Sequence, residues 1–278
     1  MRSIGIIGFG NMGASLAARF KSQADGICVY DKDSAKTEQA LNIEAAKDIT
    51  LLVGKSEVVI LAVKPQDFGN LLLEIKNSIE GKLVISIAAG ITTGYIEKYL
   101  GEVKVVRTMP NMPARIGKAM TCICKGRFAK ETDLAYTKQL FESIGQTLVV
   151  DSEDMMDAAT AISGSGPGYL FDMIERKKID INDKDRLNQL EEEFTSDLAR
   201  AAEKLGFGNQ DAIKLASATT SGSIGLIASS GLSAKELVDQ VASKGGTTEA
   251  ALGVLHTEGS LEDAVIAARD RARELSRK

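Results

Sequence analysis

Two hydrophobic periods alternate along the first 150 residues. Short apolar runs at Ser3–Gly8, Ile27–Tyr30, Glu57–Val63, Leu83–Ala88, Val103–Thr108 and Gln146–Val150 are rich in Val and Ile, as strands buried on both faces are. Between them, Met12–Ser22, Asp33–Leu41, Phe68–Ile79, Thr92–Leu100 and Lys130–Ser143 carry the pattern of amphipathic helices. Such alternation implies right-handed crossovers and a largely parallel sheet covered on both faces. After Asp151 the strand pattern stops. Glu153–Ile162, Tyr169–Glu175, Leu187–Leu205, Asp211–Ala228, Ala234–Ala242, Thr247–His256 and Leu261–Ser276 read as helices. In the last of these, Leu261, Ala264, Val265, Ala268, Ala272 and Leu275 share one face. The expected organisation is an α/β domain over 1–151 followed by an all-α domain over 152–278.

The segment Glu175–Glu193 is densely charged and reads first as a solvated helix–loop–helix excursion, with a regulatory or oligomer contact as the other reading. Across 278 residues, 44% are hydrophobic and 26% charged, a soluble globular balance. A net charge of −4 leaves no basic surplus to neutralise a phosphate backbone, so no nucleic-acid partner is expected. No apolar run approaches the roughly 18 residues a membrane span needs, and Met1–Gly10 lacks a signal-peptide pattern. Cys28, Cys122 and Cys124 suit a reducing cytosol better than a disulfide framework, so a cytoplasmic location is expected. Cys122 and Cys124 would share one face of a strand, where burial is expected rather than metal or redox chemistry. His256 is the only histidine, which leaves His-ligated zinc and a Ser-His-Asp triad little to stand on. No metal site is expected, and His256 reads as a surface or packing residue.

Gly8-Phe9-Gly10-Asn11-Met12-Gly13 is a G-x-G-x-x-G directly after the first strand. The first glycine permits the tight turn, the second lets backbone approach a pyrophosphate, and the third lets the helix pack closely on the strand. The free N–H groups and positive dipole end of the following helix would face the phosphates. Asp31 ends the second strand, 18 residues past Gly13, where a carboxylate accepts from ribose hydroxyls and repels a 2′-phosphate. It could also cap the next helix, and Lys32 and Lys36 could accommodate a phosphate. The expected cofactor is therefore NADH or NADPH, with NADH favoured, on an N-terminal Rossmann doubly wound sheet. Ala62-Val63-Lys64-Pro65, Ala88-Ala89-Gly90 and Met109-Pro110-Asn111 end three further strands on the carboxyl edge, where open sheets bind ligands. Ala62, Val63, Lys64, Pro65, Ala88, Ala89 and Asn111 thus join the cofactor-binding candidates; each stretch alone could be an ordinary strand-exit turn.

Two glycine-rich segments open helices in the second half: Ser163-Gly164-Ser165-Gly166-Pro167-Gly168 before Tyr169, and Ser243-Lys244-Gly245-Gly246-Thr247-Thr248 before Glu249. Such a loop can present several backbone N–H donors to an anion. Each could also be a helix start with a Ser or Thr cap. Two of them beside a dinucleotide domain favour a carboxylate pocket.

Gly8–Gly13, EVVILAVKPQ (57–66), VRTMPNMPARIGKAMT (106–121), SGSGPGYLF (163–171) and ASKGGTTEAAL (242–252) together resemble pyrroline-5-carboxylate reductase, over most of the chain and in family order. The first motif alone would also suit 6-phosphogluconate or 3-hydroxyacid dehydrogenases; the last two would not. The resemblance implies reduction of a cyclic imine, 1-pyrroline-5-carboxylate, to L-proline, the last step of proline biosynthesis. It implies that the substrate carboxylate sits on the backbone N–H groups of Gly246, Thr247 and Thr248, with Ser243 and Gly245 also in the substrate site and the Thr248 hydroxyl facing the ring nitrogen as the catalytic group. It further implies homodimers or higher homo-oligomers with intertwined helical domains. The alternatives left open are a paralogue reducing another cyclic imino acid and a catalytically inactive cofactor-binding regulatory protein.

Three departures from the family pattern stand out. Lys244 replaces a usual Pro. Gly231-Leu232-Ser233-Ala234 replaces a usual Gly-Glu-His-Pro. Arg176–Asp197 is an altered and lengthened connection between helices that usually form the dimer core.

Overall fold

In a computed structural model, residues 1–38 and 42–276 are described. The chain forms two compact units, Met1–Thr108 with Ile123–Asp151, and Met109–Cys122 with the chain from Ser152 onward. No described helix is long and apolar enough to cross a membrane.

The Val- and Ile-rich runs at Val58–Leu61 and Leu83–Ser86 become fully buried strands because both sheet faces are covered there. In chain order the elements are β1 (Ser3–Ile7), α1 (Asn11–Phe20), β2 (Gly26–Tyr30), α2 (Ser34–Thr37), β3 (Glu44–Ala45), α3 (Ile49–Lys55), β4 (Val58–Leu61), α4 (Phe68–Ile75), β5 (Leu83–Ser86), α5 (Thr93–Leu100), β6 (Lys104–Pro110), β7 (Ala119–Lys125), α6 (Glu131–Glu142) and β8 (Gly145–Val149). The sheet order is β3-β2-β1-β4-β5-β6-β7-β8, with parallel pairing from β3 through β6. Its first six strands follow the doubly wound order of the Rossmann fold, in which the chain reverses direction across the sheet beside β1.

Beneath the sheet, Leu52 and Val53 of α3 and Phe68, Leu72 and Ile75 of α4 pack with Val59, Leu61 and Val84. Each such side chain contributes roughly 1.5–3 kcal/mol by leaving water. Elsewhere in the unit, Phe20 of α1 meets Phe141 of α6 edge-on at 5.3 Å.

Sequence periodicity missed β3, whose two exposed residues carry no apolar pattern, and α3, whose seven residues are too few for one. Asp48 starts α3 by accepting the Leu51 N–H at 2.8 Å. The predicted helix Asp33–Leu41 forms only as α2, and its residues 39–41 lie outside the described residues. Cys122 and Cys124 do lie on a strand, β7; all three cysteines are buried thiols, and burial pushes the Cys122 thiol up to about 12.

The second unit contains α7 (Glu153–Ala159), a π-helical turn (Thr160–Gly164), α8 (Gly166–Lys177), α9 (Lys184–Lys204), α10 (Asn209–Ser230), α11 (Ala234–Val241), α12 (Thr247–Leu255) and α13 (Leu261–Ser276). The charged stretch after Ile174 is a solvated helix–turn–helix. α8 stops at left-handed Lys178, and Asp183 caps α9 by accepting the Arg186 N–H. Leu187, Leu190, Phe194 and Leu198 line the inner face of α9.

Gly222 lets α10 approach the turn at Met112–Ile116. A Cβ there would collide with the Lys118 carbonyl oxygen and lie 3.0 Å from Pro113 Cβ. Backbone cannot step aside as a side-chain tip can, so Gly222→Ala is expected to cost about 2–3 kcal/mol. Urea denaturation would show this as a lower midpoint at unchanged slope. Gly253→Ala, on a helix position with open space around it, is the control and should gain up to about 1 kcal/mol.

Candidate functional site

At the carboxyl edge of the first unit, β1 runs into a turn held from both sides. The Gly8 N–H donates to the Tyr30 carbonyl at 2.7 Å, and the Phe9 N–H donates to Asp31 Oδ2 at 2.7 Å. Gly8 has φ +102, and a Cβ would meet the Ala62 carbonyl oxygen at 2.5 Å; both restrict the position to glycine. Gly13 packs so closely that a Cβ would overlap the Gly8 carbonyl oxygen. Gly10 differs: a Cβ there meets no atom within 4 Å.

Gly10 is the N-cap of α1, with no side-chain cap and no acidic residue in the first turn. The N–H groups of Asn11, Met12 and Gly13 therefore have neither an intrahelical acceptor nor a competing carboxylate. A turn closed by glycine, bare at Gly10 and ending in free helix amides is chemically suited to a pyrophosphate. Ala62 and Val63 lie half-buried beside it after β4, with Lys64 and Pro65 exposed; Ala88 is buried and Ala89 half-buried after β5.

Asp31 is more engaged than its position alone suggested. Oδ2 accepts from the Phe9 N–H, and Oδ1 accepts from the Asp33 N–H at 3.0 Å and pairs with Lys36 at 3.2 Å. Burial is the largest influence and opposes ionisation, but the two amide hydrogen bonds and Lys36 together outweigh it and hold the carboxyl below its usual range. Lys32 is bound 3.0 Å from Asp67.

In the second unit, Gly245, at φ +70, turns the chain into α12, whose N-cap Gly246 lacks a side-chain cap. One of the three expected amide donors, Gly246, and the neighbouring Gly245 have protein acceptors. The Gly245 N–H donates to Glu249 Oε2 at 2.6 Å, and the Gly246 N–H donates to the Ser243 carbonyl at 2.9 Å. The Thr247 and Thr248 N–H groups fall in the first helical turn, where no intrahelical acceptor exists. Arg271 of α13 secures the turn by donating to the Gly245 carbonyl at 2.8 Å. Lys244 is exposed.

The Thr248 hydroxyl is buried and donates to Ser165 Oγ at 3.0 Å, while Thr247 Oγ1 lies 2.8 Å from the same oxygen. Ser163–Gly168 is therefore not the anion-binding loop that its glycines suggested. It is helical and buried, and its Ser165 N–H is spent on the Thr160 carbonyl at 2.9 Å. Its side chains matter instead of its amides.

Asn111 belongs to the second unit, is almost fully buried, and accepts the Met120 N–H at 2.9 Å. Its Nδ2 has no hydrogen-bond partner among the described residues. His256 is half-exposed, with Nε2 2.9 Å from Asp172 Oδ1, while Arg176 bridges Asp172 and the Leu255 carbonyl. Among the described residues no group of His, Cys, Asp and Glu is arranged to hold a metal ion.

Comparison with known proteins matches residues 3–90 to a family model described as NADP oxidoreductase coenzyme F420-dependent, and residues 193–276 to one described as pyrroline-5-carboxylate reductase dimerisation. A pyrroline-5-carboxylate reductase of Methanosarcina acetivorans is 34% identical over 100% of this chain and 99% of its own. One from Arabidopsis thaliana is 32% identical over 98% and 95%. Among solved structures, a pyrroline-5-carboxylate reductase of Coxiella burnetii is 30% identical, covers 99% and 98% of the two chains, and superposes with a TM-score of 0.64. A pyrroline carboxylate reductase of Plasmodium falciparum with NADP bound is 26% identical, with a TM-score of 0.65 over 99% and 98%. Motif order, full-length similarity and shared fold agree: the chain belongs to the pyrroline-5-carboxylate reductase family.

Proposed function

We propose that this chain reduces 1-pyrroline-5-carboxylate to L-proline, with NADH preferred over NADPH. The observation that carries the substrate half of this reading is the start of α12, where free Thr247 and Thr248 amides adjoin the buried Thr248 hydroxyl. The substrate carboxylate sits on those two amides, with Ser243, Gly245 and Gly246 shaping the turn. The five-membered ring then presents its nitrogen to Thr248 Oγ1. A protonated imine is already a strong electrophile, so the protein supplies orientation and a partner for the nitrogen rather than a strong acid.

Gly8, Phe9, Gly10, Asn11, Met12 and Gly13 hold the pyrophosphate, and Ala62 to Pro65 with Ala88 and Ala89 flank the nucleotide. When bound, the reduced nicotinamide supplies the hydride that the imine carbon accepts. Asp31 stays ionised at neutral pH and faces the ribose, which disfavours a 2′-phosphate. Residues 193–276 form a homodimer interface, and the three buried thiols fit a cytosolic enzyme.

Steady-state assays with racemic pyrroline-5-carboxylate and each cofactor test the reading. Turnover with the five-membered imine, and a higher kcat/KM with NADH, are expected. Activity only on a six-membered imine, or none at all, would refute it. Asp31→Ser should raise the ratio of NADPH to NADH efficiency about tenfold, the size of effect one lost charge-assisted hydrogen bond gives. An unchanged ratio would remove Asp31 as the selecting residue.

A further inference from the structure

Ser165 belongs to a motif that the amide chemistry above leaves unexplained. It is 1% exposed, yet its hydroxyl is shared by two others. Thr248 Oγ1 donates to it at 3.0 Å, and Thr247 Oγ1 lies at 2.8 Å. Tyr169 is fully buried and donates its own proton to the Ala161 carbonyl at 3.0 Å.

Ser165 is fixed by its main chain as well. The π-helical turn places its N–H on the Thr160 carbonyl, and its carbonyl accepts the Gly168 N–H at 2.9 Å. One residue beyond Pro167, α8 is bare: a Cβ on Gly168 would come within 2.5 Å of Thr248 Cγ2. The two helices thus meet closely enough for one serine oxygen to reach two adjacent threonines of α12.

A hydroxyl carries a single proton. With the Thr248 proton spent on Ser165, Thr248 Oγ1 has only lone pairs left to offer a ligand. A protonated imine nitrogen is an N–H donor and needs an acceptor. We propose that Ser165 is a positioning residue that locks the Thr248 hydroxyl as an acceptor for the substrate nitrogen before substrate arrives. This rests on the role given to Thr248 above. Removing Ser165 frees the hydroxyl to rotate, so that reorganisation must accompany each turnover.

A double-mutant cycle of Ser165→Ala and Thr248→Val tests the proposal, read by kcat, KM for each substrate, the deuterium effect with 4-deuterated NADH, and thermal melting. Ser165→Ala is expected to lower kcat five- to tenfold, leave KM for NADH unchanged and raise the isotope effect. The double variant should be within twofold of Thr248→Val alone. If Ser165→Ala keeps parental turnover, slows Thr248→Val by the same factor as the parent, or leaves the isotope effect unmoved, the serine is only structural and the proposal falls. If Thr248→Val itself keeps parental turnover, the Thr248 role fails first and takes this inference with it. Should Ser165→Ala not fold, Ser165→Cys, which retains volume and only a weak acceptor, is read by the same criteria.

Discussion

Gly13→Ala is expected to destabilise the first unit by about 3 kcal/mol or more, whereas Gly10→Ala is expected to fold normally and lose cofactor affinity alone. The two glycines stand three residues apart in one motif, yet they face different obstacles. A methyl on Gly13 overlaps the Gly8 carbonyl oxygen, which is fixed because Gly8 also donates its N–H to Tyr30 and lies against the Ala62 backbone. Relief would require α1 to lift off β1, exposing Leu16 and Phe20, which are fully buried. A methyl on Gly10 meets no protein atom within 4 Å. It projects where the pyrophosphate must approach the free amides of α1, so it obstructs only the bound state. Denaturant melts and NADH titration by fluorescence separate the two effects. Gly10→Ala that unfolds, or that binds NADH as the parent does, would show that the turn does not hold the phosphates.

The same contrast explains which features could be read from the chain beforehand. Rossmann strands and the glycine motif are written in local pattern, since Val and Ile runs and a strand–turn–helix spacing need no knowledge of distant residues. The end of β2 likewise located Asp31. Its partners did not follow from position, because the Phe9 amide reaches it across 22 residues. Ser163–Gly168 misled for a related reason. Serine and glycine before a helix suit an exposed amide loop, but the segment continues α7 through a π-helical turn and is buried. Only the tertiary approach of α12, more than 80 residues later in the chain, gives Ser165 its hydrogen bonds. The capture of the Gly245 amide by Glu249 was legible in principle, since a glutamate at the third helical position commonly reaches back to amides before the helix. That signal removes the Gly245 amide from the free donors at this turn.

Thr248→Ala is expected to lower kcat about 10- to 100-fold while leaving NADH affinity unchanged. The estimate follows from one hydrogen bond to a charged partner, about 1.5–3 kcal/mol, at 1.4 kcal/mol per tenfold in rate. The substitution removes the hydroxyl opposite the substrate nitrogen but retains the Thr248 N–H, so the carboxylate keeps its amide donors and KM for the imine should change less than kcat. The turn at Gly8–Gly13 is held by residues of the first unit alone, so cofactor binding is expected to be unchanged. Thr248→Ser, which restores a hydroxyl able to donate to Ser165, should recover most of the lost rate. Equal losses in Thr248→Ala and Thr248→Ser would assign the effect to the missing methyl and its packing against Gly168 rather than to the hydroxyl. A Thr248→Ala enzyme with weakened NADH binding and parental turnover at saturation would place the residue in cofactor recognition and displace the imine nitrogen from Oγ1.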